Sequence, residues 1–249
     1  MEVEEKLVGL LAEFGPYRKS YHPEYPFMRL RNDGIWDIEG PNEALPVQQH
    51  LDAKKSLLRK HHVNGGLKEE IYTYLSNDRK LFSEIVAIIL NGNFPETIHE
   101  DILQSVGIEM GRIAHIGTVR DPRFRERILR AYEYQCAVCG YNVRVGNFPV
   151  GLEAAHIKWF QAGGPDVEQN GLALCSLHHK LFDRGVFTIQ RELKVQVSED
   201  ANGTKGLTEW LLAFNGKAIK PPQRPTYYPQ PEYLHWHDRE VFRGPARYI

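Results

Sequence analysis

The sequence predicts an α+β chain in two parts: a mostly helical domain over residues 1–110 and, after a linker at 111–120, a domain of hairpins and short helices over 121–249. Three observations predict it. Apolar residues recur at helical spacing through much of the first part. Hairpin patterns punctuated by glycine occupy the second. Within that second part, Cys136-x-x-Cys139 is answered by Cys175-x-x-His178, two ligand pairs at the spacing of a tetrahedral metal site. The second domain is therefore expected to be stabilised by zinc.

In chain order, Val3, Leu7, Leu10, Leu11 and Phe14 share one helical face over residues 2–14, and Gly15-Pro16 ends that helix. In YHPEYPFMRLRNDGIWDIEG, residues 21–40, prolines, aromatics and Asp33-Gly34 predict a loop, a strand, a turn and a second strand. Residues 43–60 read as mainly helical after Pro46, and Gly65-Gly66 as a break. Helical patterns follow at 67–75, 78–90 and 95–105, where Pro95 suits a first turn. Residues 122–134 predict a charged helix. A hairpin-like region, the loop GGPDVEQNG, a short helix at 172–182 and a closing hairpin of VFTI and LKVQV come next. The last 30 residues, rich in Pro, Tyr and Trp, predict an extended arm.

The chain has 249 residues, 42% hydrophobic and 25% charged, with net charge −1 at pH 7. That composition suits a globular protein. No apolar run approaches the roughly 20 residues of a membrane span. The start, MEVEEKLVGLLAEF, is acidic and amphipathic, a poor export signal, so a cytoplasmic location is expected. A global excess of Lys and Arg is absent, so any nucleic-acid contact must be local. Candidate patches are Arg29/Arg31, Lys54/Lys55/Arg59/Lys60 and Arg120/Arg123/Arg125/Arg127/Arg130, each of which also suits a solvated helix face. The zinc site consumes all three cysteines. Its four protein ligands leave no open position for water, so this zinc would be structural.

The ligand pairs bracket a second constellation. His156 sits in an apolar strand, Asn170 follows the glycine-containing loop, and His179 directly follows His178. The segment LEAAHIKWFQAGGPDVEQNGLALCSLHHKLFDRG resembles an HNH nuclease of the ββα-metal fold, in the branch patterned AAHI…GG…NGLxLC…HHxxFDxG. Phosphodiester hydrolysis needs a water activated near neutral pH and a cation beside the scissile phosphate. The resemblance implies that His156 is the general base and that Asn170 orients it through the loop or the ring. It implies that His179 ligates a catalytic Mg²⁺ or Mn²⁺. One departure stands out: the acidic residue that usually precedes the base is Ala155. Asp183, one turn beyond His179, is the first substitute, although it also suits a helix end before Gly185. Glu153 is the second. His178 and His179 could exchange roles; the CxxH turn favours His178 on zinc.

The first part carries YHPEYPF…RLRNDG.W and NFPETIHEDIL. Over most of residues 1–110 it resembles the sulfur-binding domain that precedes HNH units in McrA-type restriction endonucleases. The terminal LHWHDREVF resembles the ends of such proteins. The implied partner is double-stranded DNA carrying phosphorothioate, and the implied activity is modification-dependent restriction. A phosphorothioate sulfur is larger and less hydrated than oxygen, so a shallow apolar dent would accept it. Candidates are Tyr25, Pro26 and Met28 in the first motif and Phe94, Pro95 and Ile98 in the second. Arg29 could hold the adjacent phosphate and a guanine edge. All of these also suit core or turn packing; Phe94-Pro95 and Arg29 are favoured as contacts. The near-neutral charge would keep binding to unmodified DNA small. One centre cuts one strand, so a homodimer is expected for a double-strand break. Two alternatives stay open: an HNH endonuclease for another mark such as methylcytosine, and a zinc-containing DNA-binding protein without nuclease activity.

Overall fold

A computed structural model of the chain describes residues 2–45, 52–109 and 121–248. The expected linker, Pro46 and Arg120 lie outside the described residues. The chain forms two compact units.

The first unit is drawn from Met1–Glu13, Arg18–Ala87 and Gln104–His115. It holds helices α1 (Glu2–Phe14), α2 (Glu24–Arg29), α3 (Lys55–Lys60) and α4 (Glu69–Asn77), and the start of α5 (Arg79–Asn93). Its strands β1 (Trp36–Glu39) and β2 (Asn64–Leu67) pair antiparallel, with Trp36 opposite Leu67 and Ile38 opposite Gly65. Two expectations are corrected here. The first strand expected in residues 21–40 is helix α2: Pro26 falls in its first turn, where a missing N–H costs little. Gly65-Gly66 does not break the chain but forms part of β2. A Cβ on Gly65 would lie 2.8 Å from the Phe27 ring and 2.9 Å from Trp36 Nε1, so glycine lets those two rings close on the hairpin. Between 52 and 60 the described helix begins only at Lys55, because Lys54 is extended.

The second unit is drawn from Phe14–Tyr17, Ile88–Leu103 and Ile116–Ile249. It takes in the 3₁₀ turn Glu96–Ile98 and the first residues of α6 (His99–Val106). Helix α7 (Pro122–Ala131) follows the cap residue Asp121, whose carboxylate accepts the Arg123 N–H. The hairpin β3 (Arg144–Val145)/β4 (Phe148–Pro149) leads into the central pair β5 (Leu152–His156)/β6 (Gly171–Cys175). Then come α8 (Ser176–Asp183), the hairpin β7 (Phe187–Ile189)/β8 (Val195–Val197), α9 (Lys205–Trp210) and α10 (Pro231–Glu240). Ile128, Leu129 and Tyr132 pack with Leu152, Leu172, Leu174, Phe182 and Phe187 in one core. The helix expected at 172–182 starts only at Ser176. Residues 171–175 form β6, buried along its whole length, and such a run has no period that separates strand from helix. The expected C-terminal arm contains α10, whose Leu234 and His237 face inward. Among the described residues, no helix is long and apolar enough to cross a membrane.

His237 is wholly buried. It accepts a hydrogen bond from the Thr188 hydroxyl at Nδ1 (2.9 Å), donates from Nε2 to the Phe182 carbonyl (3.1 Å) and stacks on Phe182 at 3.7 Å. Burial holds its pKa down at about 4. The folded value lies below the unfolded value near 6.5, so the unfolded chain takes up the proton first as pH falls. Stability from the neutral ring is complete above about pH 6.5 and declines toward pH 4, by up to about 3 kcal/mol. Denaturant titrations between pH 7 and 4 should show a shallower loss for His237→Phe than for the parent. Equal slopes would exclude this source.

Candidate functional site

Cys136 and Cys139 lie on the turn after α7, and Cys175 and His178 at the junction of β6 and α8. Their ligand atoms all fall within 4.8 Å of one another. Cys139 Sγ and Cys175 Sγ are 3.9 Å apart, and Cys136 Sγ lies 3.8 Å from His178 Nδ1. Tetrahedral zinc with Zn–S bonds of about 2.3 Å places its sulfurs about 3.8 Å apart, so the cluster could hold this ion. His178 donates its Nε2–H to the Trp210 carbonyl at 2.8 Å, which turns Nδ1 toward the sulfurs. Burial opposes charge on this ring, but its contacts with the three sulfurs raise its pKa to about 12.

The second constellation lies along the β5/β6 pair and α8. His156 closes β5 opposite Gly171 of β6. A Cβ on Gly171 would meet Ile128 Cδ1 at 2.2 Å, so only glycine lets α7 cross here. That crossing stacks Phe124 on the His156 ring at 4.2 Å and 13°. His156 Nε2–H donates to Asp166 Oδ1 at 2.7 Å. Asp166 Oδ2 accepts the Asp121 N–H at 3.1 Å, and its carbonyl accepts Arg127 Nη2 at 2.5 Å. The Arg123 backbone N–H and the Arg127 guanidinium hold the Asp121 carboxyl down at about 2. Asn170 is fully buried and ties the loop rather than the ring: Oδ1 accepts the Lys158 N–H, and Nδ2 donates to the Lys158 and Pro165 carbonyls. Asp166 is the residue that sequence reasoning missed. It sits inside the GGPDVEQNG loop, where no periodicity marks a carboxylate.

His179, on α8, donates its Nδ1–H to Glu153 Oε2 at 2.6 Å, and its Nε2 lies 3.2 Å from Asp183 Oδ2. Both carboxylates weighed as substitutes for Ala155 thus reach the ring. Burial disfavours a charged His179, but Asp183 and Glu153 outweigh it and raise its pKa to about 10. The same contact holds the Glu153 carboxyl below its ordinary value. Asp183 is 3% exposed and accepts a hydrogen bond from the Thr97 hydroxyl. The 3.2 Å edge between Nε2 and Oδ2 is close to the roughly 3.0 Å between adjacent ligands of an octahedral Mg²⁺ with bonds near 2.1 Å. One imidazole and one carboxylate therefore fit such a cation, once the proton they share is released. His156, His179, Glu153 and Asp183 open into one cavity of about 560 Å³, walled also by Trp159 and Pro95.

The residues expected to touch DNA are placed unevenly. Tyr25 is 39% exposed, and the Arg29 guanidinium lies 4.9 Å above its ring. Arg29 also forms a two-pronged pair with Asp52, at 3.1 and 2.6 Å, so a phosphate would have to compete for it. Pro26 and Phe94 are half-buried, and Phe94 packs edge-on against Trp159. Pro95 is buried against the cavity. The structure corrects Met28 and Ile98: at 1% and 2% exposure, both fill core space and offer no surface to a ligand. Of the basic patches, Lys55 and Arg59 are paired with Glu4, and Arg127 with Asp121 and Glu168.

Residues 1–110 match the family model of the ScoMcrA-like DNA sulfur-binding domain, and residues 136–190 match that of the HNH endonuclease. A solved structure described as a modification-dependent TagI restriction endonuclease is 27% identical, over 50% of this chain and 39% of that one, with a TM-score of 0.34. The chain thus spans 39% of that protein's length. No curated protein matches the chain.

Proposed function

From a chain that joins a DNA sulfur-binding domain to an HNH endonuclease domain, we propose a modification-dependent restriction enzyme that recognises phosphorothioate in double-stranded DNA and hydrolyses phosphodiester bonds near the mark. One observation carries the catalytic half of this reading. A histidine fixed by a carboxylate (His156–Asp166) and a histidine beside two carboxylates (His179 with Glu153 and Asp183) share one cavity.

In this reading His156 is the general base, its ring held at Nε2 by the Asp166 carboxylate. It takes the proton of the attacking water, and Asp166 stabilises the imidazolium that results. Phe124 fixes the ring plane and Asn170 the loop that carries Asp166. His179 and Asp183 would hold Mg²⁺ or Mn²⁺. Such an ion supplies positive charge beside the phosphate and the leaving oxygen. Cys136, Cys139, Cys175 and His178 would hold a structural zinc. Tyr25, Pro26, Arg29, Phe94 and Pro95 remain the proposed contacts to the modified backbone. Two such centres, as in a homodimer, would be needed to cut both strands. Genomic DNA as substrate fits action in the cytoplasm.

A second reading, a zinc-containing DNA-binding protein without cleavage, draws on one observation: both ring nitrogens of His179 face carboxylates. The test uses two duplexes of one sequence, with and without a stereodefined phosphorothioate. Each is incubated with protein and Mn²⁺ and resolved on a denaturing gel. Cleavage of the modified duplex alone is expected. Equal cleavage of both would keep the nuclease and remove the sulfur requirement. Cleavage of neither would favour another mark, such as methylcytosine, or the second reading.

A further inference from the structure

The carboxylate of Asp183 is not held by the HNH segment alone. Residues 88–103, which precede the 136–190 match, belong to the same compact unit as the cavity. Their 3₁₀ turn Glu96–Ile98 presents the Thr97 hydroxyl to Asp183 Oδ2. Three residues beyond that turn, Asp101 meets Lys180 Nζ at 3.0 Å and Arg184 Nε at 3.6 Å, pinning the same helix, α8, on both sides of Asp183. Buried Ile98, and His99 donating from Nε2 to the Phe94 carbonyl at 2.9 Å, fix the turn itself.

A carboxylate that is 3% exposed needs hydrogen-bond partners, and beside His179 the Thr97 hydroxyl supplies one at Oδ2. A hydroxyl donor stabilises the ionised carboxylate, the form a cation requires. We propose that Thr97 is a positioning residue of the cutting centre: its hydroxyl holds Asp183 with Oδ2 turned toward His179 Nε2, the pair assigned above to the catalytic cation. The inference rests on that assignment. It makes the centre a product of two separate stretches of chain, one of them lying within the sulfur-binding match. Partners outside the coordination sphere typically change metal affinity or activity about 10- to 100-fold.

The experiment compares the zinc-loaded full chain with Thr97→Val, which keeps the shape but loses the hydroxyl, and Thr97→Ser, which keeps the hydroxyl. Free Mn²⁺ is read by electron paramagnetic resonance during titration without DNA. Cleavage of the phosphorothioate duplex then gives kcat and KM. Thr97→Val should weaken Mn²⁺ binding by about 10-fold or more and lower kcat similarly, with KM for the duplex little changed. Thr97→Ser should restore both, and zinc content and melting should match the parent throughout. Unchanged Mn²⁺ affinity in Thr97→Val overturns the proposal, as does equal weakening in the valine and serine variants. A parent that binds no Mn²⁺ overturns it together with the assignment of the pair. A parent that binds Mn²⁺ but cuts neither duplex removes the proposed function, while the Mn²⁺ titrations still decide the role of Thr97. Should the valine variant fail to fold, Thr97→Ala is titrated in its place.

Discussion

Cys136→Ser is expected to unfold the second unit. Cys136 is fully buried, and its sulfur is one of four candidate ligand atoms through which zinc would draw the α7–β3 turn onto the β6–α8 junction. Structural zinc contributes on the order of 10–16 kcal/mol to small zinc domains, as much as or more than the 5–15 kcal/mol net stability of an ordinary domain. Without one thiolate the ion binds weakly, and the remaining thiols and imidazole are left together in a core with nothing to satisfy them. Zinc content should fall below one ion per chain, and the far-UV circular dichroism and cooperative melt of the second unit should be lost. A chelator added to the parent should do the same. A zinc-free variant that still melts cooperatively would show that hydrophobic packing alone carries this unit.

His156→Ala is expected to stop cleavage while leaving the fold and duplex binding in place. General base catalysis is worth about 10²- to 10⁴-fold, and among the described residues the other imidazole lining the cavity is His179, which the proposal gives to the cation. Asp166→Asn should also be costly, about 10²-fold or more: the amide no longer stabilises the imidazolium and can donate its own N–H to the ring. Single-turnover gels give both losses, and fluorescence anisotropy on the modified duplex checks binding. Full activity in His156→Ala would move the base elsewhere.

The pairs Cys136/Cys139 and Cys175/His178 were legible because each rests on short-range spacing, whereas His156, Asn170 and His179 were singled out through the resemblance to HNH nucleases. Cys-x-x-Cys and Cys-x-x-His are turns whose geometry local chain dimensions already dictate. Helix α1, with its apolar stripe and its Gly15-Pro16 stop, was legible for the same reason. What escaped depends on distant chain. Thr97 reaches Asp183 across 86 positions, and no pattern encodes such a contact. Asp166 lies ten residues from His156, on a loop whose path Asn170 sets. Burial also misleads where a motif has both readings. Met28 and Ile98 carry the apolar character of a binding dent, yet tertiary packing took both. The strand β6 and the helix α10 were misplaced because a uniformly buried run and a Pro/Tyr/Trp-rich run lack the amphipathic period on which such reading depends.

Helix α7 has a bearing on how portable this cutting centre is. A graft of residues 136–190 into another protein would carry every zinc ligand along with His156, Asn170 and His179. It would leave behind Phe124, whose ring covers His156, and Asp121 and Arg127, which anchor the Asp166 loop. It would also lose Trp210, the carbonyl that sets the His178 tautomer. The structural unit is therefore wider than its recognisable motif, running from the α7 cap to at least α9.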